Sequence, residues 1–154
     1  MLRLKTILHP TDFSPTSERA WKVAASLARD YGAKLILLHV TDAPVVVYGE
    51  GIVPPNPVEH RETARQLLEE IHPHEGSLPI ERLLLEGDVV WEILRTAVDR
   101  SCDAIVLGTH GRSGVGRLLM GSVAEQVLRK APCLVLTVRN PHEVELVPAA
   151  LAVG

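Results

Sequence analysis

Short apolar runs alternate with capped helical stretches five times along this chain, and that alternation leaves few architectures open. Runs near residues 2–9, 34–40, 79–85, 103–108 and 133–138 have strand length, and the second is apolar enough for burial on both faces. Between them lie helix signals. Ser14 with Pro15 opens one helix that Gly32 ends, Asn56 with Pro57 and Glu59 opens another, Asp88 can cap a third, and Ser122-Val-Ala-Glu125 has the form of a capping box for a fourth, over about 122–130. Ala20, Val23, Ala24, Leu27, Ala28 and Tyr31 make the inward stripe of the first helix. Ala64, Leu67, Leu68 and Ile71 do so for the second, and Val90, Ile93, Leu94, Ala97 and Val98 for the third. Trp21 and Trp91 read as packing residues. Strand–helix alternation of this kind predicts an α/β fold, a single open, five-stranded parallel sheet with helices on both faces.

Composition agrees with that expectation. A chain of 154 residues is the size of one domain with one core, and 46% hydrophobic against 3% aromatic residues predicts a core of Val, Leu, Ile and Ala. The formal charge of −3 with scattered arginines gives no electrostatic reason to bind nucleic acid or an anionic membrane. No run approaches the ~18 apolar residues of a membrane span. The apolar run before His9-Pro10 is too short for a signal-peptide core, and Cys102 and Cys133 read as reduced, buried thiols, so a cytoplasmic protein is expected. The stretch 41–56, with Pro44, Gly49, Gly51, Pro54 and Pro55, has no periodicity, and a loop of that length is usually functional or mobile.

The chemistry concentrates between Gly108 and Ser122. A strand ends there, a loop rich in glycine follows, and a helix begins, so unpaired N–H groups and the positive end of a helix dipole arrive where an anion would be favoured. Three common glycine motifs do not fit. Gly111 and Gly116 have Walker A spacing, but Arg117 and Leu118 replace the lysine and hydroxyl. A dinucleotide motif from Gly114 and Gly116 meets Leu119 at its third position, and a nucleophile elbow at Ser113 meets Val115 at its last. What fits is Gly108-x2-Gly111, nine residues, then Gly121-Ser122.

That spacing resembles the nucleotide-binding signature of the universal stress protein family, in its ATP-binding branch. Ile7-Leu8-His9-Pro10-Thr11-Asp12-Phe13-Ser14, Leu37-Leu38-His39-Val40, Glu86-Gly87-Asp88 and Ala131-Pro132-Cys133-Leu134-Val135-Leu136 also match the family's layout. The resemblance covers roughly residues 2–138. It implies a Rossmann-like sheet of order 3-2-1-4-5, a nucleotide-binding domain over residues 1–139 and a tail over 140–154. It also implies a nucleotide site made of Pro10, Thr11, Asp12, Val40, Leu107, Gly108, Gly111, Arg112, Gly121, Ser122 and Val123, with no catalytic or metal-ligating residue. The Val40 backbone would read the adenine edge, Asp12 would accept the ribose hydroxyls, and the glycines with Ser122 would surround the triphosphate. Arg112 and Arg117 would supply mobile cations, and Mg²⁺ would ride on the phosphates. Ala124 departs from the fullest pattern, where a hydroxyl could add a phosphate contact. Dimers through the edge strand 133–138 are common in the family, so a homodimer is implied.

Each residue also has a plain structural reading. Asp12 suits a turn, Ser122 suits a helix cap, Arg112 and Arg117 suit solvent, and His9 and His39 suit packing or hydrogen bonding at strand ends. His110 lies in the loop within reach of a phosphate. His72-Pro73-His74 has no third ligand spaced to complete a metal site. The expected function is an ATP-binding stress-response regulator that uses the nucleotide as a conformational or partner switch, with an unknown regulatory protein as partner. A slow ATPase or phosphotransfer enzyme and a nucleotide-free, partner-binding dimer are the alternatives.

Overall fold

A computed structural model describes residues 1–41, 56–74, 76–110 and 120–140. Five strands, β1 (Thr6–Pro10), β2 (Lys34–Thr41), β3 (Ile80–Glu86), β4 (Ala104–Gly108) and β5 (Leu134–Val138), alternate with four helices. These are α1 (Pro15–Tyr31), α2 (Pro57–Glu70), α3 (Val89–Asp99) and α4 (Ser122–Lys130). The strands form one parallel sheet in the order β3-β2-β1-β4-β5, so the architecture is the expected one. β1 starts at Thr6 instead of residue 2. Its amino end is fixed across the sheet, because the Asp103 carboxylate accepts the backbone N–H groups of Lys5 and Thr6 at 2.7 and 2.9 Å. Those bonds hold the Asp103 carboxyl below its ordinary range.

Side-chain alternation divides the core into two layers. Ile7, Leu35, Leu37, Ala104 and Val106 face Ala20, Trp21, Ala24 and Ala28 of α1 and Leu68 of α2. Leu8, Ile36, Leu38, Ile105 and Leu107 face Ile93 and Ala97 of α3 and Ala124 and Val127 of α4. With both faces covered, the central strands must be apolar at successive positions, which is why they read as continuous runs.

The helix boundaries follow from local chemistry. The Ser14 hydroxyl accepts the Ser17 N–H at 3.2 Å with Pro15 at the first helical position, and Gly32 ends α1 in the left-handed conformation at φ 62°. Asn56 Oδ1 accepts from Val58 N–H, and Asp88 Oδ1 accepts from Trp91 N–H. Other expectations need correction. The buried face of α3 is Glu92, Ile93, Thr96 and Ala97, so Trp91 and Val98, one position outside it, are 64% and 62% exposed. Glu92 tolerates its place because Arg95 Nη2 lies 2.6 Å from its carboxylate. Tyr31, the last residue of α1, is also exposed, and Cys133 is half-buried, whereas Cys102 is buried.

Candidate nucleotide cleft

β1, β2 and β4 all end at the carboxyl edge of the sheet, and the order 3-2-1-4-5 makes them neighbours. The chain leaves β1 toward one neighbour and β4 toward the other. A crevice opens between the connections, where open α/β sheets place ligands. The cleft there has a volume of about 330 Å³, within the range of small-molecule sites. Pro10, Thr11, Asp12, Val40, Leu107, Gly108, Gly121, Ser122 and Val123 all line it. The expectations placed on Gly111, Arg112, Gly114, Gly116 and Arg117 fall outside the described residues, as do those on residues 42–55 and 141–154.

At the centre lies the turn after β1. Thr11 N–H donates to the Leu38 carbonyl at 2.8 Å, tying the turn to β2. Thr11 Oγ1 accepts from Phe13 N–H and from Ser17 Oγ, and Asp12 Oδ1 accepts the Ser14 N–H at 3.0 Å. The turn reading of Asp12 is therefore correct, and the carboxylate so positioned also lines the cleft. Phe13 sits at φ 63°, a conformation that costs a bulky side chain of order 1–3 kcal/mol. Its ring lies 4.4 Å from the His39 ring, and His39 Nδ1 donates to the Thr11 carbonyl at 2.7 Å. Packing and hydrogen bonds from β2 thus hold the strained turn in place.

The helical side of the cleft differs from the sequence expectation in one useful respect. Gly121, not Ser122, occupies the cap position of α4, and among the described residues no side chain caps this helix. Ser122 is the first helical residue and is exposed at the cleft. The first-turn N–H groups of Ser122, Val123 and Ala124 have no intrahelical partner by geometry, and they meet the cleft at the positive end of the α4 dipole. Gly121 N–H donates to the Thr109 carbonyl at 2.6 Å, and Thr109 N–H to the Val138 carbonyl at 3.0 Å. Those bonds bring the two ends of the 110–120 connection together beside β5.

Gly108 has a structural cause that spacing did not reveal. A Cβ there would lie 2.8 Å from Thr16 Cγ2 and 3.2 Å from the Thr16 carbonyl carbon. The start of α1 packs directly on the end of β4, and only glycine leaves room for it. Thr41, His60, Val89 and Ile93 also line the cleft and escaped the sequence reading. They come from three elements, β2, α2 and α3, that only the tertiary fold assembles. His110 lines the cleft as well, with Nδ1 3.1 Å from Thr109 Oγ1.

Asp12 is the acidic residue in the described lining. Among the described residues no group of three or more His, Cys, Asp or Glu could hold a metal ion. No helix among them is long and apolar enough to cross a membrane.

The profile of the universal stress protein family matches residues 3–139. The chain is 35% identical over 143 residues to universal stress protein MJ0531 of Methanocaldococcus jannaschii, covering 90% of this chain and 84% of that one. The solved structure of MJ0577 from the same archaeon superposes with a TM-score of 0.67 at 28% identity, covering 90% of this chain and 98% of that one. The universal stress protein from Archaeoglobus fulgidus in complex with dAMP shares the fold, with a TM-score of 0.59 at 24% identity over 90% of this chain and 99% of that one. A β3-β2-β1-β4-β5 sheet, a cleft at its carboxyl edge and a profile match along nearly all the described residues lead to one assignment: the chain belongs to the universal stress protein family.

Proposed function

We propose that this chain binds ATP in the cleft at the carboxyl edge of its sheet and serves as a nucleotide-dependent regulator in a stress response. The observation that carries the reading is the opening of an uncapped α4 N-terminus onto the same cleft as Asp12. One end offers backbone N–H groups and a favourable dipole to phosphates, and a carboxylate acceptor lies between that end and the β2 edge. The dAMP bound by the Archaeoglobus fulgidus protein is an adenine nucleotide on the same fold and supports the ligand class.

In this arrangement the Val40 backbone meets the adenine edge, Asp12 accepts the ribose hydroxyls, and Gly108, Gly121, Ser122 and Val123 enclose the phosphates. Gly111 and Arg112 extend the phosphate set. Mg²⁺ is carried by the phosphates, since the described lining offers a single carboxylate. Asp12 is already engaged by the Ser14 N–H, which suits holding a sugar better than activating water. Hydrolysis is accordingly slow, and the nucleotide acts by changing conformation or the choice of a protein partner in the cytoplasm. Residues 1–139 form the binding domain, and 140–154 a tail.

A homodimer through β5 completes the proposal. β5 pairs with β4 alone among the described strands, and Leu134 and Leu136 on its α1-facing side are exposed, an apolar edge suited to covering by a second copy. A monomeric mass at micromolar concentration would remove this element.

Substitution tests the site. Gly121→Val should abolish ATP binding by placing a branched side chain against the phosphates, and Asp12→Ala should weaken it roughly tenfold through loss of a charge-assisted hydrogen bond. Unchanged affinity in folded forms of both variants would refute the reading.

A further inference from the structure

Phosphates at the α4 end of the cleft leave the base at the β2 end, and the structure brings an unexpected side chain there. Thr41 closes β2, Val89 and Ile93 come from α3, and His60 comes from the first turns of α2. They approach from opposite faces of the sheet. Ile93 and Val89 belong to the apolar layer shared with α4, whereas Leu68 and Ile71, which anchor α2, belong to the layer shared with α1. His60 precedes the buried Ala64 by four residues, one turn nearer the carboxyl edge on the same helical face. It therefore overhangs the cleft while Ala64 and Leu68 hold the helix down.

The β2 end of the cleft is thus lined by an exposed imidazole from α2, branched aliphatic side chains from α3 and the last residue of β2. That lining suits a flat heteroaromatic ring. The other histidines in the lining have different places: His39 Nδ1 donates to the Thr11 carbonyl within the β1 turn, and His110 adjoins Thr109 on the β4 side.

We infer that His60 recognises the base of the bound nucleotide, its imidazole stacking on one face of a purine whose other face rests on Val89 and Ile93. The inference rests on the nucleotide-binding reading above and adds the residue that grips the ring. Stacking on a planar side chain is sequence-tolerant but sensitive to truncation, with loss of the ring costing about tenfold or more in affinity.

The experiment is titration of nucleotide-stripped full-length protein with ATP, in the unmodified chain and in His60→Ala, His60→Gln and His60→Phe, with thermal unfolding followed for each. ATP affinity should fall about tenfold in the Ala and Gln variants and return to within about threefold in the Phe variant, which restores a planar ring without polarity. Affinity unchanged in folded His60→Ala would overturn the inference, as would rescue by Gln and not by Phe, which would assign a hydrogen bond in place of stacking. Asp12→Ala separates the two levels of argument. Weaker ATP binding in Asp12→Ala with none lost in His60→Ala leaves the nucleotide site standing and removes His60 from it. Failure of the unmodified protein to bind ATP removes both.

Discussion

Acidifying this protein should destabilise it through one residue at the centre of the sheet. His9 lies in β1 with 0% exposure, and its Nδ1 is 2.8 Å from the Val106 carbonyl. A carbonyl only accepts, so Nδ1 carries the proton of the neutral ring; Nε2 is buried without a hydrogen-bond partner among the described residues. The Trp21 ring lies 5.8 Å away. Burial pushes the imidazole down from 6.5 to about 4, outweighing the opposing effects of the Val106 carbonyl and the Asp12 charge.

The sign follows from proton counting. Between about pH 6.5 and pH 4 the unfolded chain takes up a proton that the folded chain refuses, so stability is complete above that window and falls as pH drops through it. Each pH unit inside the window removes up to about 1.4 kcal/mol, giving about 2 kcal/mol by pH 5 and about 3 kcal/mol below pH 4. Urea unfolding at about pH 7.5, 6 and 5, for the unmodified protein and for His9→Asn, isolates this contribution, because other groups titrate in both chains. The Asn amide replaces the donor to Val106 and does not ionise. The unmodified chain should lose about 2 kcal/mol more than the variant between pH 7.5 and pH 5. Parallel losses, within about 0.5 kcal/mol, would refute the argument that burial keeps His9 neutral.

Other consequences concern packing. Gly108→Ala drives a Cβ against Thr16 and its backbone, so it should destabilise the fold by about 1–3 kcal/mol in urea unfolding even without ligand, with partial recovery in combination with Thr16→Ser. Equal stability of Gly108→Ala would mean that α1 does not pack as described. The two tryptophans should behave oppositely in the same assay. Trp21→Ala, at a position 4% exposed, should cost about 3–5 kcal/mol, and Trp91→Ala, at a position 64% exposed, should stay within about 0.5 kcal/mol.

Local chemistry was legible in the sequence, and assembly was not. Ser14, Gly32, Asn56 and Asp88 could be placed because each acts on backbone groups within a few residues of itself. The central strands β1, β2 and β4 were visible because burial on both faces leaves no polar alternation to confuse them, and the partly exposed edge strands β3 and β5 were legible as short apolar runs. The cap of α4 was misread. Ser122-Val-Ala-Glu125 has the spacing of a capping box, yet the helix begins one residue earlier in register and leaves Gly121 at the cap. That shift exposes first-turn N–H groups at the cleft, a departure from local preference at a candidate binding site. Val98 was misplaced in the inward stripe of α3, and Trp91 was misread as a packing residue, because apolar character alone guided both, whereas Glu92 turns inward with Arg95 beside it.

The cleft residues divide in the same way. Asp12, Gly108 and Ser122 belong to motifs with readable spacing, although the motif could not say that Gly108 is required by Thr16. His60, Val89 and Thr41 carried no signal. They are separated along the chain, stand in different elements, and meet only because β2 and β3 run side by side and α2 and α3 begin at the same edge.

The central claim is that an adenine nucleotide occupies the cleft between Asp12 and the start of α4. Its most direct test is calorimetric titration of purified, nucleotide-stripped protein with MgATP, run beside Asp12→Ala. One ATP per chain, with affinity about tenfold weaker in the variant, is the predicted result. No heat of binding in the unmodified protein, or equal affinity in the two, would contradict the account.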